Sequence, residues 1–204
     1  MQNGIGIENT FLEAGFTDIY RTILYSGGQR IDDYSVEFKM VDSSPIGVIA
    51  GDEQKLNAII SQINTLQFPF YFEENIQEKI WKKSIANAVF NTICPLLEVD
   101  NGIFIRDEKA LALANSVIAE CIQVANALGI NLSHDVVLSQ VLTISKGSDG
   151  QLVSTLQDIQ NKRQTEIDSL NLEIARIAET LDTNIDIRLT KALGDLILIR
   201  SSFY

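Results

Sequence analysis

Cysteine and histidine are scarce in this sequence. Its 204 residues include two cysteines, Cys94 and Cys121, and a single histidine, His134. A disulfide framework needs several cysteine pairs, and a structural zinc site needs four Cys or His ligands, so the sequence excludes both. The two thiols lie among apolar neighbours and are interpreted as core residues. His134 is interpreted as a surface residue at the start of a helix.

Basic side chains are fewer than acidic ones, and long apolar runs are absent from the sequence. The chain has 16 lysines and arginines against 27 aspartates and glutamates, which gives a formal net charge of −11. Nucleic acids and anionic membrane surfaces attract proteins with a positive electrostatic potential, so neither is expected as a partner of this acidic chain. No segment approaches the ~18 consecutive apolar residues of a membrane span, and residues 1–4 begin no secretory signal. A hydrophobic content of 46% with three prolines predicts a folded, cytoplasmic protein.

The predicted secondary structure changes from mainly strands to helices near residue 72. Before it, short stretches of β-forming residues alternate with turn residues, whereas helical periodicity dominates after it. The first part contains predicted strands at 19–26 (ended by Gly27-Gly28), 33–41, 46–50 and 69–72, a turn at 42–45 and a helix at 55–66. The second part contains predicted helices at 76–96, 111–128, 133–143, 151–160, 166–181 and 189–200. Four short strands form a poor independent core, so either they pack on the helices or their sheet is incomplete.

The predicted helix at 76–96 carries a line of polar side chains. Lys83, Asn87 and Asn91 follow one another at intervals of four residues, which places them one turn apart on the same face. One interpretation is an ordinary solvated stripe. The other is a ligand site, since a cation and two carboxamides in a row can hold a small, oxygen-rich molecule. Asparagine is a poor helix former, so two of them aligned with a lysine favour a specific role.

A second polar cluster comprises Ser154–Asp158 and Arg163–Asp168. The simplest interpretation is a helix, a polar break and a second helix start, with Thr165 or Asp168 as the capping residue. The segment Gly4–Asn9 resembles a dinucleotide-binding fingerprint only in part. Asn9 stands where the third glycine belongs, and no predicted strand precedes the segment, so it predicts no phosphate loop.

Taken together, these segments resemble the ketopantoate reductases (2-dehydropantoate 2-reductases). The residues from Trp81 to Asn91 match the W-x-K-x-x-x-N-x-x-x-N helix of that family, and Asn101-Gly102 matches the N-G that follows it. Further matches are the S-S-M-x-Q-D-like stretch at 154–158, the T-E-I-D at 165–168, Glu120, the helix end at 127–130 and the Q-N-G-x-G segment at 2–6. The resemblance covers residues 2–168 with its elements in the family's order.

The resemblance implies an α+β fold in two parts. Residues 73–204 would form a mainly helical domain like the C-terminal domain of 6-phosphogluconate dehydrogenases, which binds substrate and can form a homodimer. Residues 1–72 would be the trailing strands of a truncated Rossmann-like α/β domain, because the Q-N-G-x-G segment lies late in that domain in the family. The glycine-rich fingerprint that precedes it in the family is absent from this sequence, so the chain alone is expected to be inactive.

The resemblance also implies roles for individual residues. Lys83 would be the catalytic lysine, hydrogen-bonding the keto oxygen of a 2-keto acid and donating a proton as hydride arrives from NADPH. Glu166, also catalytic, would engage the substrate hydroxyl. The substrate-binding residues would be Asn87, Asn91 and Ser154, and Asn3 would bridge cofactor and substrate. No metal is expected.

Some residues depart from the family pattern, and two other functions stay open. Asn171-Leu172 replaces an N-G, and Asp182, Asp186 and Arg188 occupy the places of a glycine, a proline and an asparagine. These departures concern the identity of the 2-keto acid rather than the family. The chain could alternatively be a non-catalytic helical fragment or dimerisation module. It could also be a helical adaptor unrelated to reductases, which predicts that Lys83 and Glu166 face different surfaces, more than ~20 Å apart.

Overall fold

The computed structural model of the chain describes residues 4–203, except the side chains of residues 29, 30, 39 and 40. The described residues form two compact units, one made of 7–79 and the other of 4–6 and 80–203. The first unit contains strands and short helices, and the second is helical. This arrangement confirms the predicted α+β class with a mainly helical C-terminal part. The predicted domain division at residue 72 stays a prediction.

The first unit contains a three-stranded sheet and a separate two-stranded ribbon. Its elements are α1 (Asn9–Glu13), β1 (Ile19–Thr22), β2 (Ser26–Arg30), β3 (Val36–Val41), β4 (Ser44–Ala50), α2 (Glu53–Ile63) and β5 (Phe70–Phe72). The sheet order is β1-β4-β5, with β1 antiparallel and β5 parallel to β4. β2 and β3 pair as an antiparallel ribbon. Helix α2 begins after Asp52, whose carboxylate accepts a hydrogen bond from the Gln54 amide.

Two sequence predictions for this unit are wrong in detail. Gly27-Gly28 lies inside β2 instead of ending a strand, and the register of the ribbon shifts between the two glycines. This bulge accommodates the glycines without ending the pairing. The predicted turn at 42–45 is shorter, because the Ser44 amide donates to the carbonyl of Pro69 and begins β4. The five-residue helix α1 has no buried side chain, so no apolar periodicity in the sequence predicts it.

The helical part comprises α3 (Ile76–Leu97), α4 (Ile103–Arg106), α5 (Glu108–Ala127), α6 (His134–Gly147), α7 (Ser154–Gln160), a 3₁₀ turn (Ile167–Ser169), α8 (Asn171–Thr180) and α9 (Arg188–Ser201). Most of these agree with the predicted helices. α5 ends before Gly129, which adopts a φ of +79° that only glycine takes easily. The Ser133 hydroxyl accepts a hydrogen bond from the Val136 amide at the start of α6, as predicted. His134 is the partly exposed first residue of that helix, in agreement with the predicted surface position at a helix start.

α3 and α5 supply much of the core of this unit. Trp81, Cys94 and Cys121 are fully buried, which confirms their interpretation as core residues. Burial raises the pKa of both thiols to about 12, so neither is a reactive thiolate near neutral pH. Among the described residues, only α5 is long and apolar enough to cross a membrane by length and composition. Its apolar face, from Ala110 to Ala125, is buried within the protein, as in a core helix.

Candidate functional site

The polar line on α3 runs from a partly exposed start into the core. Lys83 and Asn87 are partly buried, and Asn91 is only 4% exposed. Their neighbours Ala86 and Ala88 are fully buried. A solvated stripe would expose all three polar side chains, so that interpretation of the line is wrong. The three residues instead lead from the surface to an interior polar position.

Asn91 is the innermost member of this line and has unused hydrogen-bonding capacity. No donor among the described residues reaches its side-chain oxygen, Oδ1. Pro95 lies one turn further along α3 and has no N–H. The backbone carbonyl of Asn91 therefore lacks its usual helical donor as well. Leaving buried acceptors unpaired costs about 1–3 kcal/mol each. The position is therefore suited to a donor brought by a ligand or a water molecule.

Lys83 and Glu166 act on each other electrostatically. Burial lowers the pKa of the Lys83 ammonium below its ordinary value, and the negative charge of Glu166 partly offsets that effect. A carboxylate exerts such an influence only from nearby. The helical-adaptor hypothesis expects no such interaction, since it places Lys83 and Glu166 on different surfaces. An ammonium with a lowered pKa is a better proton donor near neutral pH.

Glu166 stands just before the 3₁₀ turn at 167–169. Its side chain is exposed, whereas Ile167 is buried beneath the turn. The backbone carbonyl of Glu166 accepts hydrogen bonds from the amide and the hydroxyl of Ser169, at 3.1 and 3.0 Å. Asp168 does not cap a helix, since its carboxylate pairs with Arg176 of α8. These contacts fix the backbone of the turn, on which the Glu166 side chain is exposed.

The segment at 4–6 packs on this turn. The Ile5 amide donates to the Ser169 carbonyl at 3.1 Å. A Cβ atom at Gly4 would lie 2.5 Å from the same carbonyl oxygen, so only glycine allows this close approach. Asn3, the predicted cofactor-bridging residue, lies outside the described residues.

Ser154 is positioned by a different element. It is the exposed first residue of α7, and Leu156 and Ile159 anchor that helix in the core. Its hydroxyl makes no hydrogen bond within the described part of the chain, and the residue before it, Val153, provides no side-chain cap. The structure thus gives an electrostatic interaction between Lys83 and Glu166, and it places Ser154 on a separate element, α7.

Sequence reasoning assigned no role to two polar residues that organise this unit. The Glu120 carboxylate accepts hydrogen bonds from the Leu189 and Thr190 amides, at 3.1 and 2.7 Å, and caps the start of α9. Asn171 is fully buried and donates to the carbonyls of Ala88 and Thr190, both at 3.4 Å. Both residues act across large separations in sequence, so no local pattern identifies their partners.

Comparison with known families identifies the helical part. The sequence model of the family "Ketopantoate reductase PanE/ApbA C terminal" matches residues 75–197. A curated 2-dehydropantoate 2-reductase from Pyrobaculum aerophilum is 34% identical over 129 residues, which are 63% of this chain and 45% of the relative. The chain therefore matches less than half the length of that relative.

Solved structures show the same fold. A D-mandelate dehydrogenase in complex with NADH superposes with a TM-score of 0.86 at 22% identity, covering 98% of this chain and 68% of that one. A ketopantoate reductase from Staphylococcus aureus, described as dimeric, superposes with a TM-score of 0.76 at 22% identity, covering 89% and 61%. At these identities the likeness shows the fold alone.

Proposed function

The chain belongs to the ketopantoate reductase PanE/ApbA family through its helical C-terminal part, and we propose on this basis that it provides the substrate-binding and proton-donating part of a 2-keto acid reductase. The proposed reaction reduces 2-dehydropantoate, or a similar 2-keto acid, to the 2-hydroxy acid with NADPH. The single observation that supports it best is the partly buried Lys83 under the electrostatic influence of Glu166.

In this proposal Lys83 is the proton donor. Its ammonium hydrogen-bonds the keto oxygen and transfers a proton to it as negative charge develops there. The reduced nicotinamide supplies the hydride to the carbonyl carbon when it is bound. Glu166 keeps Lys83 protonated and accepts a hydrogen bond from the substrate hydroxyl.

The remaining polar residues would orient the substrate. Asn87 and Asn91 present carboxamides one and two turns along α3 from Lys83, and the unpaired Oδ1 of Asn91 would accept a donor from the substrate or from a water beside it. Ser154 would donate its hydroxyl to the substrate carboxylate. An anionic substrate reaches this site against a net charge of −11, which makes the local charge of Lys83 the main attraction.

The residues near the start of the chain do not fit the pyrophosphate of the cofactor. Helix α1 is only five residues long, and Glu8 places a carboxylate at its N-terminal end. That carboxylate is buried and paired with Arg21, so it already occupies the end of the helix where a phosphate group would have to bind. Cofactor binding through Asn3 stays a proposal based on the resemblance.

Equilibrium binding tests the proposed substrate site on the chain itself. Titration calorimetry with 2-dehydropantoate should show saturable binding that Lys83→Ala weakens at least about tenfold, the loss expected for one charge-assisted hydrogen bond. Lys82→Ala is the matched control, because it removes the adjacent lysine of the same helix without touching the polar line. Equal affinities of the two variants would contradict the assignment of Lys83.

Turnover gives an independent test. We expect no NADPH oxidation when the 204-residue chain is assayed alone with 2-dehydropantoate, since its sequence contains no complete dinucleotide fingerprint. Robust turnover by this chain would show that its residues bind the cofactor, and would overturn this part of the proposal.

A second candidate function is a dimerisation module without catalysis. Exposed apolar side chains on the last helix, Leu196 and Ile199, followed by Phe203, favour this alternative. A chain that forms a stable dimer but shows no Lys83-dependent binding of 2-dehydropantoate would support it over the reductase.

A further inference from the structure

Two loops of the helical unit meet at three charged side chains, Asp100, Arg106 and Asp149, here called the loop clamp. Arg106 Nη2 donates to both carboxylate oxygens of Asp100, each at 2.8 Å. Its Nη1 donates to Asp149 at 2.5 Å. The guanidinium is therefore shared between two carboxylates that are far apart in sequence. With both partners satisfied, it is not placed to bind a further anion.

Asp100 also holds the backbone of both loops. Its Oδ1 accepts hydrogen bonds from the amides of Gly102, at 2.8 Å, and Gly150, at 3.1 Å. The hydrogen bond from Arg106, followed by those from the two amides, lowers the pKa of this carboxyl to about 2. Asp100 is thus ionised at any pH at which the protein is used, and the clamp stays charged.

Backbone contacts reinforce the clamp. The Asn101 amide donates to the Gln151 carbonyl at 2.9 Å. The buried Ser145 hydroxyl donates to the Asn101 carbonyl at 2.7 Å. A Cβ atom at Gly102 would lie only 1.7 Å from Oδ1 of Asp149, so the close approach of the loops needs glycine at this position. This gives a physical reason for the Asn101-Gly102 pair, to which the sequence assigned no role.

The clamp connects the two elements that carry the proposed substrate residues. On one side, the Val99 amide donates to the Cys94 carbonyl at 3.0 Å, which joins the loop to the end of α3. On the other side, the loop leads into α7, which has seven residues and no side-chain cap. Leu156 and Ile159 anchor α7 in the core, whereas Ser154 at its first position is exposed. The loop before α7, held by Asn101 and Asp100, therefore helps to determine where Ser154 lies.

We propose that Asp100 and Arg106 are positioning residues that fix Ser154 relative to the polar line of α3, and thereby set the subsite for the carboxylate of a 2-keto acid. The proposal rests on the proposed function, because it needs Ser154 to contact that carboxylate. It adds that discrimination for the carboxylate depends on two residues that do not touch the substrate.

A double-mutant cycle tests the proposal by affinity. Arg106→Ala should weaken binding of 2-dehydropantoate about tenfold and leave binding of its methyl ester, which lacks the charged carboxylate, nearly unchanged. Ser154→Ala should have a similar effect, and the double variant should be no weaker than Ser154→Ala alone, since both changes remove one interaction. Additive losses, or equal losses for acid and ester, would overturn the proposal.

Two further variants control for general destabilisation. Lys191→Ala breaks an exposed ion pair of α9 with Asp195 and should leave both affinities unchanged. Arg106→Lys keeps one positive charge in the clamp, and should recover part of the acid affinity that Arg106→Ala loses. If Arg106→Ala does not fold, the same comparison between acid and ester is made with Asp149→Asn, which keeps the Asp100–Arg106 pair.

Hydrogen exchange separates failure of this proposal from failure of the proposed function. The Gln157 amide, which donates to the Val153 carbonyl at the start of α7, should exchange faster in Arg106→Ala than in Lys191→Ala, whether or not the chain binds a 2-keto acid. Unchanged exchange in α7 would overturn the positioning role. Faster exchange in a chain that binds no 2-keto acid would contradict the proposed function while supporting the control of α7 by the clamp.

Discussion

At the residue scale, the partly buried lysine of α3 combines a chemical use with a cost in stability. Burial lowers the pKa of Lys83 below its ordinary value of 10.5, despite the attraction of Glu166. The folded state therefore binds this proton less tightly than the unfolded state does, so the charged lysine destabilises the fold. A partly buried charged residue that destabilises the fold is typical of a functional site, where stability is given up for activity.

Replacing this lysine should stabilise the protein. Lys83→Met keeps the length of the side chain and removes the charge, and should raise the free energy of unfolding at pH 7 by about 1 kcal/mol, a usual size for a stabilising substitution. The penalty is full below the folded-state pKa of Lys83 and disappears as the pH rises above 10.5. Urea denaturation at pH 7 and above pH 10.5 should show the gain shrinking. Lys82→Met, on the same helix, is the control, and a loss of stability in Lys83→Met would contradict the prediction.

Glu166 should control the pH at which the site loses its positive charge. Its carboxylate raises the pKa of Lys83, so Glu166→Gln should let that pKa fall further. Affinity for 2-dehydropantoate should then decline at a lower pH on the alkaline side than it does in the native chain. Calorimetric titrations over a pH series measure this shift. Asp168→Asn is the control, because Asp168 is close in sequence but pairs with Arg176, and an equal shift in both variants would exclude a specific Lys83–Glu166 pair.

At the element scale, the packing of α8 on α9 explains one departure from the family pattern. Leu172 stands where the resemblance expects glycine, and it is buried. On the facing helix, a Cβ atom at Gly194 would lie 2.9 Å from Cδ2 of Leu172 and 3.0 Å from Cβ of Asn171. The larger side chain on α8 is thus accommodated by the absence of a side chain on α9.

Gly194→Ala should therefore destabilise the fold by about 1–3 kcal/mol, as overpacking of a core usually does. Leu172→Ala should relieve the loss when combined with it, so that the two changes are not additive. Thermal denaturation of the single and double variants measures both effects. Gly147→Ala in α6 is the matched control, because nothing lies within 4 Å of a Cβ atom there, and it should be neutral or stabilising by about 0.4–1 kcal/mol. A neutral Gly194→Ala would contradict the packing argument.

Features that lie within one helix could be predicted from the sequence, whereas contacts between distant segments could not. Periodicity located α3 and α5 to within a few residues, because their apolar faces are long and regular. The spacing of Lys83, Asn87 and Asn91 was visible because it is local to one helix. The capping of α9 by Glu120 spans 69 residues of sequence, and the contact of Asp100 with Gly150 spans 50. Such contacts depend on the tertiary fold, so a single sequence does not reveal them.

At the scale of the whole molecule, the last helix exposes an apolar face. Leu196 is 49% exposed and Ile199 is 52% exposed, and Phe203, just beyond the helix, is 75% exposed. Leu196 and Ile199 stand three residues apart, so they share one face of α9. Adjacent exposed apolar side chains of this size are typical of protein interfaces. They support the predicted homodimer through the helical part, which stays a proposal for this chain.

The homodimer should be sensitive to both surface polarity and salt. Leu196→Asp with Ile199→Asp should shift the chain from dimer to monomer, because each carboxylate would be buried unpaired at the interface. Each copy carries a net charge of −11, so two copies repel, and added salt should strengthen association by screening that repulsion. Light scattering coupled to size-exclusion chromatography, over a range of salt concentrations, measures both effects. Leu66→Asp is the control, since Leu66 is fully exposed in the first unit. A native chain that stays monomeric at high salt would contradict the dimer, whereas dissociation by Leu66→Asp alone would place the interface on the first unit instead of on α9.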